Sequence, residues 1–458
     1  MKQQDKILEI AVEAPAKVLE KTIEDSSAIL KEVNNKKIVQ KAKNYWYILG
    51  PGLTTGAADD DSSGVGTYSQ QGAQTGFQLL WLAPLTFPLM ATVQEMCARI
   101  GMVTGRGLAV NIKRVFPRWM LITATLLLFV ANTFNIGADL GVMAAATRLL
   151  APQFDFAFLV VVFVIITLFL QIFSTYKKYA KYLKWLALTL LSYVFSTLMI
   201  KGLNWNEILM HTITPSLTLS KDQIILICGI LGTTISPYLF FWQTSQEVEE
   251  EISQGKTTIQ QRTQHDDSDI KNMRIDIWSG MFLSNLVMFF IVVACASTLH
   301  LMGITNIQNA AQAAEALRPL AGDLSYLLFT LGIVSTGLLA MPVLAGSASY
   351  AISETFGWKQ GLSYKLKQAT AFYGVIIISM LIGFALNFIG LDPIKALIYA
   401  AVSNGLVAPV VLIPIVIISS SKKIMKEHVN RPITTLVGWA TVAIMVVAGG
   451  ATIWSLFS

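Results

Sequence analysis

The stretch Gly56-Ala-Ala-Asp59-Asp60-Asp61-Ser-Ser-Gly64-Val-Gly66 puts three consecutive aspartates inside a long, otherwise apolar or weakly polar region. A carboxylate at membrane depth costs at least about 2.5–3.5 kcal/mol on insertion scales, so three in a row demand a cation or a polar partner. The membrane context follows from composition. Of 458 residues, 54% are hydrophobic and 14% charged, against roughly 45–50% and about 25% in a soluble domain. The mean hydropathy is +0.57. This is the balance of a polytopic membrane protein.

Runs of about 20 mostly apolar residues predict eleven spans, at 47–74, 77–101, 119–147, 156–175, 181–201, 222–249, 275–303, 321–350, 369–391, 393–420 and 432–457. The first 46 residues carry nine Lys against seven Asp/Glu and lack an apolar core segment. They are expected to be a cytosolic tail rather than a signal peptide. Apolar residues from Ile7 to Leu30 recur at helical spacing, as in a surface-lying amphipathic helix; a solvated tail is the plainer alternative. With the N-terminus inside, 29 of the 34 Lys and Arg fall on inner segments, which fixes the expected orientation in a plasma membrane. Tryptophans such as Trp46, Trp119, Trp81 and Trp454 fall near predicted span ends, as an interfacial belt does. The net charge of +6 is then the cytosolic anchoring charge and needs no nucleic-acid partner.

Two spans cannot be continuous helices. The first holds Gly50-Pro51-Gly52 and the aspartates; the sixth, "GILGTTISPYLFFWQ", has Gly229, Gly232 and Pro237 near its centre. They are five spans apart, the offset expected of two five-helix repeats, inverted because five is odd. Interrupted spans at matching places in two halves point to a binding site near the midplane, where unwound backbone must line a cavity or be buried in protein. Residues 47–420 would form that core, and 421–458 a loop and an additional helix 11.

The aspartates have two plain readings, as a cap for the second half-helix or as part of a hydrated vestibule. The third reading is a cation site. Local donors are all oxygen: the aspartates, Ser62, Ser63, Thr233, Thr234, Ser236 and freed carbonyls. That set suits a hard ion such as Mg2+ or Mn2+, or Na+ as a co-substrate. Cys97, Cys228 and Cys295 lie at unrelated spacings in apolar runs and the four histidines are scattered, so no disulfide frame or zinc site is expected. Neither a phosphate-binding loop of the Walker type nor a nucleophile–base set is present, so the chain is not expected to be an enzyme or to hold a cofactor. No obligatory protein partner is evident.

"GPGLTTGAADDDSSGVGTYSQQGAQTGFQLLW" (from Gly50) resembles the first helix of NRAMP metal-ion transporters, and "GTTISPYLFFWQTS" (from Gly232) their sixth. "ARIGMVTGRGLA", "ANTFNIGADLGVMAAA" and "PVVLIPI" extend the resemblance over most of residues 45–420. It implies an all-α, LeuT-type 5+5 inverted repeat and divalent-metal transport, usually coupled to H+. The family's Asp-Pro-Gly-Asn falls on Asp61-Ser62-Ser63-Gly64, so the metal-binding Asp is Asp61 and its carbonyl donor Ala58, while Gly64 replaces the binding Asn. Asp59 and Asp60 are acids the usual pattern lacks and are candidate donors, direct or through water. The family's Met-Pro-His becomes Ser236-Pro237-Tyr238, with Thr233 as carbonyl donor. The helix 3 acid tied to proton release maps to Asp139, and the neighbouring family Glu to Val142. Losing the soft thioether and gaining carboxylates resembles the NRAMP-related branch that carries Mg2+ or Mn2+. Losing the His weakens the case for ordinary proton coupling.

Asn404 in span 10 is a candidate contact to the pocket, or a helix–helix hydrogen-bonding residue. Gln243 and Gln246 are candidates to line the inner path. Glu95 is expected to be an inter-helix acid. "QEVEEE" (Gln246–Glu251) reads as a cation-attracting mouth or a solvated helix end pairing with nearby Lys/Arg, and "QHDDSD" (Gln264–Asp269) as a flexible loop. On the same fold, a Na+-coupled carrier of amino acids or other organic solutes is the alternative. Three aspartates where a substrate carboxylate would sit argue against it.

Overall fold

Apolar runs become helices throughout. The structure is a computed structural model that describes residues 45–46, 48–173, 191–200, 202–315 and 325–457. The expected amphipathic helix of the tail, and most of span 5, lie outside the described residues. Residues 50–458 form one compact unit, separate from residues 1–49.

The helices of this unit are α1 (Pro51–Asp59), α2 (Ser62–Thr75), α3 (Leu82–Thr104), α4 (Leu108–Val115), α5 (Arg118–Leu150), α6 (Phe156–Phe173), α7 (Leu191–Leu198), α8 (Trp205–Ile213), α9 (Lys221–Thr234), α10 (Pro237–Ser253), α11 (Asp267–Cys295), α12 (Ser325–Phe356), α13 (Thr370–Leu386), α14 (Pro393–Ser419) and α15 (Pro432–Phe457). Seven continuous helical runs among the described residues are long and apolar enough to cross a membrane, counting 221–253 as one. The run 221–253 is buried almost throughout, whereas α6 and α15 are largely exposed. Ile165, Phe169, Phe173, Val447 and Trp454 on those two helices face outward. Such a surface suits hydrocarbon and would be an aggregation liability in water.

Spans 1 and 6 are both broken, each for a local reason. Asp60 leaves the helical region (φ −86°, ψ 49°), and Asp61 is extended (φ −64°, ψ 179°) as the N-cap of α2. In span 6, Pro237 opens α10 and Ser236 before it is extended (φ −80°, ψ 127°), because proline donates no N–H and pushes its predecessor out of the helical region.

Backbones cross closely on either side of the breaks. A Cβ on Gly56 would lie 2.3 Å from the Gly280 carbonyl oxygen, and one on Gly280 2.2 Å from that of Gly52. Gly52 and Gly56 thus form a small-xxx-small face on α1 against α11. A Cβ on Gly232 would meet the Ala401 carbonyl at 2.2 Å, so α9 lies equally close to α14. These crossings pin each half-helix to a neighbour.

Three readings of the sequence need correction. Gln264–Asp269 is not a flexible loop throughout. Asp266 caps α11, accepting from the Asp269 amide (2.9 Å), while Asp269 accepts from the Asp266 amide (3.3 Å). This is a capping box with Asp in place of Glu. Hydrogen bonds from Ser268 and the Asp269 amide hold the Asp266 carboxyl below its ordinary range. The helix therefore starts eight residues before the predicted span. Gln246–Glu251 is not a solvated end either: Glu247, Glu249 and Glu251 are buried. Glu249 accepts from Tyr350 (2.8 Å) and from the Leu362 amide (3.0 Å), Glu247 from Gln243 (2.7 Å), and Glu251 pairs with Lys256 (2.6 Å). Span 2 begins at Leu82 rather than 77, because Gly76 turns to a positive φ of 57° and ends α2. Glu95 does join helices, accepting from Arg274 and Trp278 at 2.9 Å each.

Candidate metal site at the helix breaks

α1 and α9 both end at the breaks, and Gly64 lies beside Asp59 of one and Thr233 of the other, so two helix C-termini meet. Their free carbonyls carry partial negative charge and favour a cation. The aspartates sit at this junction, all fully buried.

Asp61 is the organising residue. Its Oδ1 accepts from the Gly64 amide and from the Ser63 hydroxyl, both at 2.7 Å. Its Oδ2 accepts from Asn135 Nδ2 on α5 (2.8 Å) and from the Tyr238 hydroxyl on α10 (3.3 Å). Tyr238 lies also 3.1 Å from the Ala58 carbonyl, to which it donates. Asp61, Ala58 and Tyr238 therefore come together across the two breaks. Gly64 belongs to the same place: a Cβ there would lie 3.0 Å from the Asp59 carbonyl, 3.2 Å from Thr233 Oγ1 and 3.5 Å from Asp61 Oδ1. Gly64 is packed closely against these groups, so a side chain such as the binding Asn of the resembled pattern would enter only if its neighbours shifted.

Ser236 turns its hydroxyl back on the end of α9, donating to Thr233 O (2.6 Å) and Gly232 O (2.9 Å). The Thr233 carbonyl is accordingly in use, while its hydroxyl is buried with no partner among the described residues.

The other acids make fewer contacts. Asp59, on the last turn of α1, accepts from Ser284 of α11 (3.0 Å), and its Oδ1 has no partner among the described residues. Neither oxygen of Asp60 has one. Among the described residues no three His, Cys, Asp or Glu side chains gather at metal-binding spacing. Successive residues leave a helix end about 100° apart, so adjacency in sequence does not bring the carboxylates onto one point. Asp139 on α5 lies beside Asp61, Ser62 and Ser63, with neither oxygen in a hydrogen bond of good geometry.

Asn404 is buried on α14, and neither amide atom has a partner among the described residues. The helix–helix hydrogen bond expected of it is not formed there. Gln243 lies one turn beyond Tyr238 and is engaged with Glu247.

Three contributors were not singled out from the sequence. Asn135 lies one turn before Asp139, and Asn132, Asn135 and Asp139 mark one face of α5, a polar stripe at helical spacing that could have revealed it. Ser284 has no such signal. Asp276 on α11 accepts from the Gly50, Gly52 and Leu53 amides (2.8, 2.7 and 3.0 Å). It caps α1 from 223 to 226 residues away, where only the fold could supply the partner.

Relatives of known description share this architecture. The divalent metal cation transporter MntH of Caldanaerobacter subterraneus subsp. tengcongensis is 25% identical over 413 residues, 89% of this chain and 93% of that one. The protein of the same description from Deinococcus radiodurans is 24% identical over 421 residues, 89% of each. The solved structure of the Eremococcus coleocola manganese transporter, in complex with an aromatic bis-isothiourea substituted compound, superposes with a TM-score of 0.69 at 18% identity, covering 89% of this chain and 86% of that one. Mhp1, a nucleobase-cation-symport-1 family transporter, superposes at 0.55 with 14% identity, covering 89% and 92%. The fold is therefore the LeuT type, with its helices 1 and 6 interrupted. Residues 52–455 match the family described as natural resistance-associated macrophage protein-like, and the chain belongs to that family, Nramp.

Proposed function

We propose that this multi-pass membrane protein carries a divalent metal cation across the plasma membrane, N-terminus cytoplasmic, with Mg2+ and/or Mn2+ favoured over softer transition metals. The ion is cargo, not a cofactor. Membership of the family and the description of the MntH relatives support the substrate class. The observation that carries the reading is Asp61: a fully buried carboxylate between two helix C-termini, within reach of the Ala58 carbonyl.

Ion preference rests on the donor set. Asp61, the carbonyls of Ala58 and Thr233, and Ser236 are all oxygen, and no thioether stands at Ser236. Hard ions prefer such ligands. Asp59 and Asp60 add negative charge close by and complete the site through water. Asn404, with no partner among the described residues, contributes from α14. Alternating access follows from rocking of the two repeats about the breaks. Asp139, next to Asp61, is the candidate proton carrier, and Tyr238 stands where the resembled pattern has its His. Gln243 lines the inner path below it. Nothing in the site favours an organic solute.

The test is uptake into proteoliposomes loaded with a divalent-ion indicator, using Mg2+, Mn2+ and Cd2+, beside calorimetry with the same ions and neutral amino acids. Uptake of Mg2+ or Mn2+ that outruns Cd2+ is expected. Binding of an amino acid with no divalent-ion binding would refute the proposal.

A further inference from the structure

A carboxylate offers about four acceptor sites, and Asp61 has four donors on it: the Gly64 amide, Ser63, Asn135 and Tyr238. A cation at Asp61 therefore has to displace a donor. The Tyr238 hydroxyl is the longest of the four contacts at 3.3 Å. It comes from α10, beyond the other break, whereas Gly64 and Ser63 belong to the cap of α2. Tyr238 also holds the Ala58 carbonyl. Both atoms it touches are the oxygens that the proposed function, on which this inference rests, gives to the ion. One displacement frees both.

We propose that the Tyr238 hydroxyl is a built-in competitor of the transported cation: its bridge from α10 to Ala58 and Asp61 and the bound ion exclude each other. The hydroxyl serves as a neutral stand-in, its one proton shared between the Ala58 carbonyl and the Asp61 oxygen that Asn135 also reaches. Ion binding then unlinks α10 from the break in span 1, so occupancy of the site and freedom of the half-helices to move become one event. Tyr238 is in this sense a positioning residue that sets affinity through the ligands it blocks.

The sign of the effect separates this role from a structural one or from direct ligation. Tyr238→Phe keeps the ring that fills the packing and removes only the competitor. Calorimetry of the purified full chain with Mn2+ and with Mg2+ is expected to show about tenfold tighter binding in the variant, the factor that ~1.4 kcal/mol represents. Equal or weaker binding overturns the inference. The wild-type protein gives an independent reading that needs no variant. Adding either ion is expected to shift the infrared ring mode of a hydrogen-bonded tyrosine, and no shift overturns the inference. Failure of the underlying reading looks different: wild-type protein that binds neither ion, or Asp61→Asn that binds as wild type, removes the metal site and this inference with it.

Discussion

Asp61 does two jobs that pull in different directions. As N-cap it accepts from the Gly64 amide and starts α2, an arrangement worth about 1 kcal/mol in ordinary proteins. As the most connected buried carboxylate at the break it also joins α5 and α10. The capping and cation-site readings of the sequence are therefore compatible, and the same side chain can satisfy both. Ser236 allows a sharper expectation at this scale. Ser236→Met would place a thioether at the end of α9, and inhibition of Mn2+ uptake by Cd2+ should strengthen about tenfold, a ~1.4 kcal/mol change in preference. An unchanged inhibition profile would remove Ser236 from the site. Much of this was readable from residue types, since three buried acids beside Gly-Pro-Gly announce a break and a polar site. Where each carboxylate points was not, because direction depends on the turn at Asp60 and on partners such as Ser284 and Asn135 from other helices.

Half-helices of nine and fourteen residues cannot hold themselves in place, so their ends and crossings decide the element scale. The N-terminus of α1 is held by Asp276, which takes three of its backbone amides. Asp276→Ala leaves those donors unsatisfied at about 1–3 kcal/mol for a buried group, and the melting temperature of the detergent-solubilised protein should fall. A melting temperature unchanged from wild type would mean that another group takes over the cap. The crossing of α1 on α11 is tighter still: Gly280→Leu drives a side chain into the Gly52 carbonyl. Such a variant should lose its monodisperse peak in size-exclusion chromatography, and a normal peak would contradict the close approach. The breaks themselves were legible, from Pro237 in one case and the Asp run in the other. The Asp276 cap and the glycine crossings were not, because they join residues far apart in the chain and no local pattern reports them.

On the scale of the whole molecule, a central run at 221–253 is enclosed while α6 and α15 turn apolar faces outward. This is the arrangement that lets two repeats share one buried polar site in a lipid-facing shell. Among the described residues the order of spans followed from hydropathy alone, whereas their ends moved by up to eight residues wherever capping chemistry outweighed it, as at Asp266. Orientation remains the sequence-based expectation, and a single cysteine at Lys256 tests it: an impermeant maleimide should label it in inside-out vesicles and not in intact cells. Coupling is also a property of the whole carrier. Should Asp139 relay protons, uptake of Mn2+ will acidify the lumen of proteoliposomes carrying a pH dye, and Asp139→Asn will abolish the acidification. The most direct measurement is calorimetry and uptake of Mn2+ and Mg2+ with Asp61→Asn in a preparation whose size-exclusion profile matches wild type. Binding weakened at least about a hundredfold, ~2.8 kcal/mol, together with lost uptake, is the predicted result; affinity and uptake equal to wild type would contradict the placement of the ion between the two broken helices.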